Sequence, residues 1–290
     1  MNPLLARLHP YPFERLRHLF ADVTPPSSYA PISLGIGEPR HATPPLIIDA
    51  LTRHTDELAA YPATAGSLPF RQACANWVRR RYGVDIQPET QVLPVNGSRE
   101  ALFAFAQTVL DGHPDSVVVS PNPFYQIYEG AALLGQAKVH YVPSEPSKNF
   151  AVDWDSVPAH VWQHTRLLFV CSPGNPTGAV MPLSEWKKLF ELSDQHGFVI
   201  ASDECYSEIY FGDKPPLGGL QAASQLGRTD FKRLMCFTSL SKRSNVPGLR
   251  SGFVAGDAQW IAPFLRYRTY HGSAMGGMVQ QASIAAWNDE

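Results

Sequence analysis

Short runs of β-branched and other apolar residues alternate with amphipathic stretches along most of this chain, and this alternation limits the folds open to it. Nearly continuous apolar strands separated by helices are typical of a mainly parallel sheet covered by helices on both faces. The predicted fold class is therefore α/β. The predicted strands are Gln91–Val95, Ser116–Ser120, Lys138–Val142, Arg166–Cys171, Phe198–Ser202, Leu234–Thr238 and Ser251–Ala255, and the predicted helices are Arg99–Leu110, Ile127–Leu134, Leu183–His196 and Ala274–Trp287.

Charge, hydropathy and cysteine content exclude several classes of protein. With 290 residues and a net charge of −2, the chain can bury a substantial core and offers no positive surface for nucleic acid or an anionic membrane. No apolar run reaches membrane-spanning length, and residues 1–20 do not resemble a signal peptide, so we expect a cytoplasmic protein. The four cysteines show no paired spacing, and His160 and His164 lack the neighbouring glutamate of a metalloprotease helix, so no disulfide framework or metal site is predicted.

The residues that follow the predicted strands are the candidates for chemistry, because ligands bind at the carboxyl ends of strands in open α/β sheets. After the first strand, Gly97 permits a tight turn, and the backbone N–H groups of Ser98 and Arg99 open a helix. That arrangement suits a phosphate, although an ordinary helix N-cap explains the motif equally well. After the second strand, Tyr125 offers an aromatic face for a flat heterocycle, or packs at the rim of the core.

Two further strand ends carry an amide and an acid. Residues 172–178, Ser-Pro-Gly-Asn-Pro-Thr-Gly, follow the fourth strand, and their prolines and glycines indicate a rigid loop that presents the amide of Asn175. Asp203 follows the fifth strand, with Tyr206 close behind it. An acid at the end of an apolar strand is partly desolvated and needs a cationic or N–H partner, which a protonated pyridine nitrogen would supply. A helix cap is the plainer interpretation of Asp203.

One lysine has surroundings suited to covalent bonding with an aldehyde. Lys242 ends the segment Thr-Ser-Leu-Ser-Lys, and Arg250 follows eight residues later among small residues. A lysine that forms an imine needs a site that excludes water, and a bound phosphate needs a bidentate cation with hydroxyl donors nearby. A short Ser-Lys motif alone is more often a surface turn. The strand-end motifs together favour Lys242 as a pyridoxal-phosphate lysine.

These motifs occur in the order found in a known family. From about Ile32 onward the sequence resembles the class I/II pyridoxal-phosphate aminotransferases of fold type I. The resemblance implies the mainly parallel seven-stranded sheet of that fold, with an incomplete small domain. It rests on Gly-Glu-Pro at 37–39, Tyr61 before Gly66, Asn-Gly-Ser-Arg-Glu-Ala at 96–101, Pro-Phe-Tyr at 123–125, Asn-Pro-Thr-Gly at 175–178, Asp-Glu-Cys-Tyr at 203–206 and Ser-Leu-Ser-Lys at 239–242 with its trailing arginine.

The resemblance implies roles toward the ring of pyridoxal 5′-phosphate. Lys242 would bond the aldehyde carbon of the cofactor and then act as base and acid in a proton shift. Asp203 would keep the pyridine nitrogen protonated, so that the ring withdraws electrons. Asn175 and Tyr206 would hydrogen-bond the 3-oxygen of the ring, and Tyr125 would stack on its face.

The resemblance also implies a phosphate site, a substrate contact and a second subunit. Tyr61 would reach the phosphate of the neighbouring subunit, which implies a homodimer with shared active sites. Gly37 would offer its backbone to the substrate carboxylate. The residues expected to hold the phosphate are Ser98, Arg99, Ser239 and Arg250, with Ser241 as a further candidate.

Within the family, the opening residues 1–16, the segment 32–39 and the run 120–130 are most similar to bacterial succinyldiaminopimelate aminotransferases of lysine biosynthesis. The implied reaction exchanges an amino group between glutamate and the keto precursor of N-succinyl-diaminopimelate, so amino acids and 2-oxo acids are the expected substrates. Alternatives on the same fold are an aspartate- or aromatic-type aminotransferase and a carbon–sulfur lyase. A non-enzymatic pyridoxal-phosphate sensor ranks below them, because the N-terminal arm is too short for a helix-turn-helix module and no basic stripe is present.

The expected domain organisation divides the chain at residue 45. Residues 1–45 would form an N-terminal arm and part of a small domain, and residues 46–290 would form the large cofactor-binding domain. Family members continue for roughly another hundred residues, so we expect the chain to lack the C-terminal part of the small domain. That part carries the arginine that clamps the substrate α-carboxylate, and no arginine among these 290 residues matches its motif.

Overall fold

A computed structural model describes residues 1–289 of the chain and shows seven strands in one sheet, in the order β1-β7-β6-β5-β4-β2-β3. The strands are β1 Val92–Val95, β2 Val117–Asn122, β3 Lys138–Pro143, β4 Thr165–Cys171, β5 Val199–Asp203, β6 Leu234–Ser239 and β7 Gly252–Gly256. The helices are α1 Pro12–Leu19, α2 Pro45–Arg53, α3 Leu68–Tyr82, α4 Pro88–Gln91, α5 Ser98–Val109, α6 Ile127–Leu134, α7 Ala159–His164, α8 Leu183–His196, α9 Gly219–Gln225, α10 Leu240–Arg243, α11 Ala258–His271 and α12 Gly277–Asn288.

The predicted α/β fold with a mainly parallel sheet is confirmed. Every predicted strand is present, with ends that differ by at most two residues, and the four predicted helices correspond to α5, α6, α8 and α12. Strands β2, β3, β4, β5 and β6 are parallel to their neighbours in that set, whereas β7 is antiparallel to both β6 and β1. The link between β6 and β7 contains only the four-residue α10 and one 3₁₀ turn, so it has no long helix of the kind that usually connects parallel strands.

Local signals in the sequence set the ends of the longer helices. The side chain of Ser67 accepts a hydrogen bond from Phe70 N at the start of α3, and Gly83 ends that helix in the left-handed conformation with φ 66°. Asp257 caps α11 in the same way, by accepting from Gln259 N at 2.8 Å. Such caps satisfy backbone groups that the helix leaves unpaired, and each contributes about 1 kcal/mol.

Two apolar clusters, one on each face of the sheet, hold the helices in place. Burying a large apolar side chain stabilises the fold by about 1.5–3 kcal/mol, and each cluster contains several fully buried aromatic residues. The sheet lies between the two clusters, and the ends of its strands set the position of the loops at its edges. The first cluster includes Phe70, Trp77, Trp186, Phe253 and Trp287, and the second includes Phe105, Tyr128, Phe169, Phe237 and Phe264.

The N-terminal segment differs from the rest of the chain in burial. Ile47 in α2 is the first buried residue, and helix α1 buries none of its side chains. The division of the chain at residue 45 remains a prediction. Among residues 1–289, no helix is both long and apolar enough to cross a membrane.

Candidate active site

The carboxyl ends of the parallel strands lie together at one edge of the sheet and bring most of the predicted residues with them. Asp203 is the last residue of β5, and α10, which carries Lys242, begins directly after β6. Tyr125 follows β2, and Asn175 follows β4. The chain order of these motifs becomes a spatial cluster because parallel strands end on the same side.

Lys242 lies in a small group with Gly37 and Tyr206. Its Nζ donates a hydrogen bond to the carbonyl oxygen of Gly37 and stands 5.9 Å from the centre of the Tyr206 ring. A Cβ atom on Gly37 would lie 3.5 Å from the hydroxyl of Tyr206, so this part of the N-terminal segment passes directly over the lysine. Burial raises the pKa of Tyr206 to about 12, which keeps its hydroxyl protonated as a hydrogen-bond donor at neutral pH.

Asp203 is a buried acid with few partners. It is 4% exposed, and burial raises the pKa of its carboxyl above the usual value. Its Oδ2 accepts from the hydroxyl of Tyr128 at 2.8 Å, and its Oδ1 accepts from Cys205 N at 3.3 Å. None of the ion pairs formed within residues 1–289 includes Asp203. A cationic N–H group of a ligand would supply the partner that the protein does not.

The turn before α5 forms a cradle for an anion. Gly97 has φ 84°, and a Cβ atom there would overlap the guanidinium group of Arg250. Helix α5 begins at Ser98 with no side chain capping its first N–H groups. Free N–H groups, the positive end of the helix dipole and an adjacent guanidinium group together suit a phosphate.

Hydroxyl groups lie beside this cradle. The hydroxyl oxygen of Ser98 is 2.7 Å from the sulfur of Cys205, which is in turn 3.4 Å from the hydroxyl oxygen of Ser239. Burial raises the pKa of the Cys205 thiol to about 12, so it is a neutral bridge between the two serines. Ser241 is buried at the start of α10.

The remaining predicted residues make fewer contacts with the rest of the candidate site. The guanidinium group of Arg99 lies over the ring of Tyr11, 5.2 Å from its centre, and its backbone belongs to the first turn of α5 beside the phosphate cradle. Tyr125 is half-buried with its ring edge-on to Tyr128, and burial raises its pKa. Asn175 borders a cavity of about 270 Å³ below its loop. Tyr61 is 103% exposed, consistent with a role outside its own subunit.

Sequence reasoning missed two residues that contact the predicted ones. The hydroxyl of Tyr128 in α6 donates to Asp203, and the presence of a second tyrosine three residues after Tyr125 was an available signal. Cys205 joins the two serines, but its position within Asp-Glu-Cys-Tyr carries no local indication of that contact. Neither residue was assigned a role from the motif alone.

Pyridoxal phosphate fits this set of groups. The acid without a cationic partner suits its ring nitrogen, the cradle at α5 suits its phosphate, and Lys242 lies at the same edge of the sheet. Within residues 1–289, no cluster of histidine, cysteine or acidic side chains has the geometry of a metal site.

Comparison with known proteins places the chain among aminotransferases. Residues 30–290 match the family described as aminotransferase class I and II. The chain is 34% identical over 259 residues to an LL-diaminopimelate aminotransferase of Aquifex aeolicus, a match that covers 89% of this chain and 65% of that protein. An enzyme of the same name from Nitratidesulfovibrio vulgaris is 34% identical over 289 residues, covering 98% of this chain and 72% of its own length.

Solved structures agree with this placement. The crystal structure of an aminotransferase from Neisseria meningitidis superposes with a TM-score of 0.97 at 57% identity, covering 100% of this chain and 74% of that one. The aminotransferase AspB from Helicobacter pylori superposes with a TM-score of 0.91 at 40% identity, covering 97% and 74% respectively. The chain thus spans 65% to 74% of the length of these four relatives.

Proposed function

The chain belongs to the class I and II aminotransferase family of fold type I, whose members use pyridoxal phosphate, and on that premise we propose that it transfers amino groups between amino acids and 2-oxo acids in the diaminopimelate route to lysine. The names of its curated relatives support that route. The observation that carries the proposal is the buried carboxylate of Asp203, which lacks a cationic partner at the same sheet edge as Lys242.

Each residue of the site has a proposed task. When bound, pyridoxal phosphate supplies an aldehyde carbon and a ring that withdraws electrons. Asp203 would hold the protonated ring nitrogen by a charge-assisted hydrogen bond. Lys242 would bond the aldehyde carbon and later carry a proton on Nζ, and its contact with Gly37 keeps that nitrogen inside the site. Tyr206 and Asn175 would donate hydrogen bonds to the 3-oxygen, and Tyr125 would cover one face of the ring.

The phosphate and the second subunit complete the proposed site. The backbone N–H groups at the start of α5 and the side chain of Arg250 would bind the phosphate. In the proposed homodimer, the exposed Tyr61 of each subunit would reach the phosphate bound by the other. The other groups of the phosphate set are the hydroxyls of Ser98, Ser239 and Ser241.

We propose both a class of substrate and, within it, a specific compound. A diaminopimelate-type amino acid follows from the names of the curated relatives, which are LL-diaminopimelate aminotransferases. The succinylated form, with glutamate and 2-oxoglutarate as amino partners, follows from the resemblance of residues 1–16, 32–39 and 120–130 and is the finer proposal. LL-diaminopimelate itself is the second candidate, because that is the substrate in the relatives' names.

Two measurements test the proposal. Borohydride reduction of the protein loaded with pyridoxal phosphate, followed by peptide mass spectrometry, is expected to place the cofactor on Lys242. The visible absorption band of the bound cofactor is then followed as glutamate, N-succinyl-LL-diaminopimelate, LL-diaminopimelate or aspartate is added. Loss of the band with the succinylated compound and glutamate supports the finer proposal, and loss with LL-diaminopimelate supports the second candidate. Labelling of another lysine would overturn the assignment of the site.

A further inference from the structure

Glu100 closes the turn that forms the phosphate cradle. It is the third residue of α5, and its Oε1 accepts a hydrogen bond from the backbone N–H of Asn96 at 2.7 Å. A glutamate at this helical position that reaches back to the N–H before the helix is a known way to fix a helix start. The hydrogen bond from Asn96 to the Glu100 carboxylate therefore stabilises the conformation of the Asn96–Ser98 turn.

A buried arginine from a distant helix binds the same carboxylate. Arg268 in α11 is 0% exposed, and its Nη1 lies 2.9 Å and 3.0 Å from the two carboxylate oxygens of Glu100. Its Nη2 donates to the carbonyl oxygen of Ser273 at 2.9 Å, and the side-chain amide of Asn96 donates to that same oxygen at 3.2 Å. The turn, α5 and the end of α11 are thus joined by one network.

The hydrogen bond of Glu100 to Asn96 stabilises the turn, but its negative charge is unfavourable beside a phosphate. An anion at the start of a helix takes up the favourable field that a bound phosphate would otherwise use, and it repels the phosphate. A glutamine could make the same hydrogen bond to Asn96 without a charge. Burying an arginine is costly on its own and is tolerated when the charge is paired. The pair therefore makes physical sense if the arginine cancels the carboxylate's charge beside the phosphate.

We propose that Arg268 is a positioning residue that neutralises Glu100, so that the carboxylate shapes the Asn96–Ser98 turn without repelling the phosphate of the cofactor. This inference rests on the proposed function, since it takes the cradle at α5 to be the phosphate site. It assigns no contact between Arg268 and the cofactor. The arginine acts through Glu100, 168 residues away along the chain.

The test compares two probes that differ only in the phosphate. Dissociation constants for pyridoxal phosphate and for pyridoxal are measured by fluorescence quenching of the cofactor-free protein at pH 8, where histidine side chains are ordinarily neutral. The dissociation constant of pyridoxal divided by that of pyridoxal phosphate, called the ratio below, reports how much the phosphate contributes to binding. Inorganic phosphate serves as a third probe, through the rise in Tm that it gives. Folding of every variant is checked by circular dichroism.

Arg268→Met leaves Glu100 uncompensated, and we expect the ratio to fall about tenfold, the effect of one unscreened unit charge several ångströms from an anion. Arg268→Lys keeps the charge and is expected to keep the ratio. Adding Glu100→Gln to Arg268→Met removes the repelling charge and is expected to restore most of the ratio. A purely structural pair predicts the opposite, namely that the double variant binds no better than the single one.

Glu100→Gln alone keeps the test decisive if Arg268→Met does not fold. Because it removes a negative charge and keeps an acceptor for Asn96, we expect its ratio to equal or exceed that of the unmodified protein. A ratio that falls in Glu100→Gln, or one unchanged in Arg268→Met, overturns the inference. If the unmodified protein binds pyridoxal phosphate no more tightly than pyridoxal, the proposed phosphate site itself is wrong.

Discussion

Replacing Asp203 with asparagine is expected to stabilise the cofactor-free protein while weakening its binding of pyridoxal phosphate. The carboxyl is buried, its pKa is raised by burial, and no cation in residues 1–289 pairs with it. Asparagine has the same shape and no charge. Its amide oxygen can accept from Cys205 N, and its amide nitrogen can donate to the hydroxyl of Tyr128, so both contacts survive the change.

The size of the effect follows from two opposing costs. A buried carboxylate without a cation carries a penalty of about 4 kcal/mol after relaxation. Exchanging two charge-assisted hydrogen bonds for neutral ones loses about 1 kcal/mol each. The free energy of unfolding should therefore rise by about 2 kcal/mol, which corresponds to about 3 °C in Tm for a chain of this length. Loss of the anionic partner should weaken binding of pyridoxal phosphate at least tenfold, because the lost binding energy is about that of one hydrogen bond to a charged group.

The pH dependence has a definite sign. Because the folded-state pKa of Asp203 lies above that of the unfolded chain, its contribution to stability is fully present below the unfolded pKa and is lost as pH rises through the folded pKa. The advantage of asparagine should therefore be small near pH 4 and should grow as pH rises toward and through the folded-state pKa of Asp203. Thermal unfolding of the two cofactor-free proteins, followed by circular dichroism from pH 4 to pH 8, measures this difference.

Glu204 provides the matched control, since it is also a buried acid whose pKa burial raises. Its carboxylate accepts from the hydroxyls of Tyr82 and Ser202, both at 3.0 Å, and from Gly219 N at 2.8 Å. In Glu204→Gln the amide oxygen can still accept from Ser202 and Gly219 N, and the amide nitrogen can donate to the hydroxyl of Tyr82. Because three charge-assisted hydrogen bonds become neutral instead of two, Glu204→Gln should raise the free energy of unfolding by about 1 kcal/mol less than Asp203→Asn does. A lower Tm for Asp203→Asn at pH 7.5, or an advantage that grows toward pH 4, would refute the reasoning.

Three further substitutions test other parts of the structure. Gly97→Ala should weaken binding of pyridoxal phosphate at least tenfold, because its Cβ displaces the guanidinium group of the cradle. Gly83→Ala, at a glycine that also has a positive φ but has open space around it, should cost about 1 kcal/mol of stability and leave the affinity for pyridoxal phosphate unchanged. Tyr128→Phe should destabilise the cofactor-free protein by about 1–3 kcal/mol in urea unfolding, since it removes a donor from a buried carboxylate. Asp257→Ala should cost about 1–2 kcal/mol in the same assay through loss of the α11 cap, and unchanged stability would show that the cap is dispensable.

The strands, and the position of the candidate motifs at the strand ends, could be predicted from the sequence because each depends on neighbouring residues. Apolar runs such as Arg166–Cys171 need burial on both faces, and the residues that end them are fixed at the sheet edge. Helix α3 was also predictable, since Phe70, Cys74 and Trp77 form a helical stripe between a serine cap and a terminal glycine, yet it was not predicted. Helix α11 was not predicted because it contains Pro263, and a proline normally argues against a helix interior.

The contacts that shape the site could not be predicted in the same way. Arg268 and Glu100 belong to different helices, and nothing near either residue in the chain indicates the other. The bridge from Ser98 through Cys205 to Ser239 joins three separate strand ends. Local pattern identifies which residues lie at the sheet edge, whereas the pairing among them depends on how the helices pack above it.

Asp203 and Glu204 are neighbours in one motif, yet their carboxyl groups have different hydrogen-bond partners. Successive residues at a strand end point to opposite faces of the sheet, so Asp203 meets Tyr128 beside α6, while Glu204 meets Tyr82 and Gly219 beside α3 and α9. A carboxylate has about four sites for hydrogen bonds. Glu204 fills most of these sites with three donors at 3.0 Å or less. Asp203 accepts one bond at 2.8 Å and one at 3.3 Å, besides the weak donor of the neighbouring Cys205 thiol. Burial alone would make both acids equally costly, so the incomplete partnership of Asp203 is the reason we propose Asp203, and not Glu204, as the acid that binds a ligand.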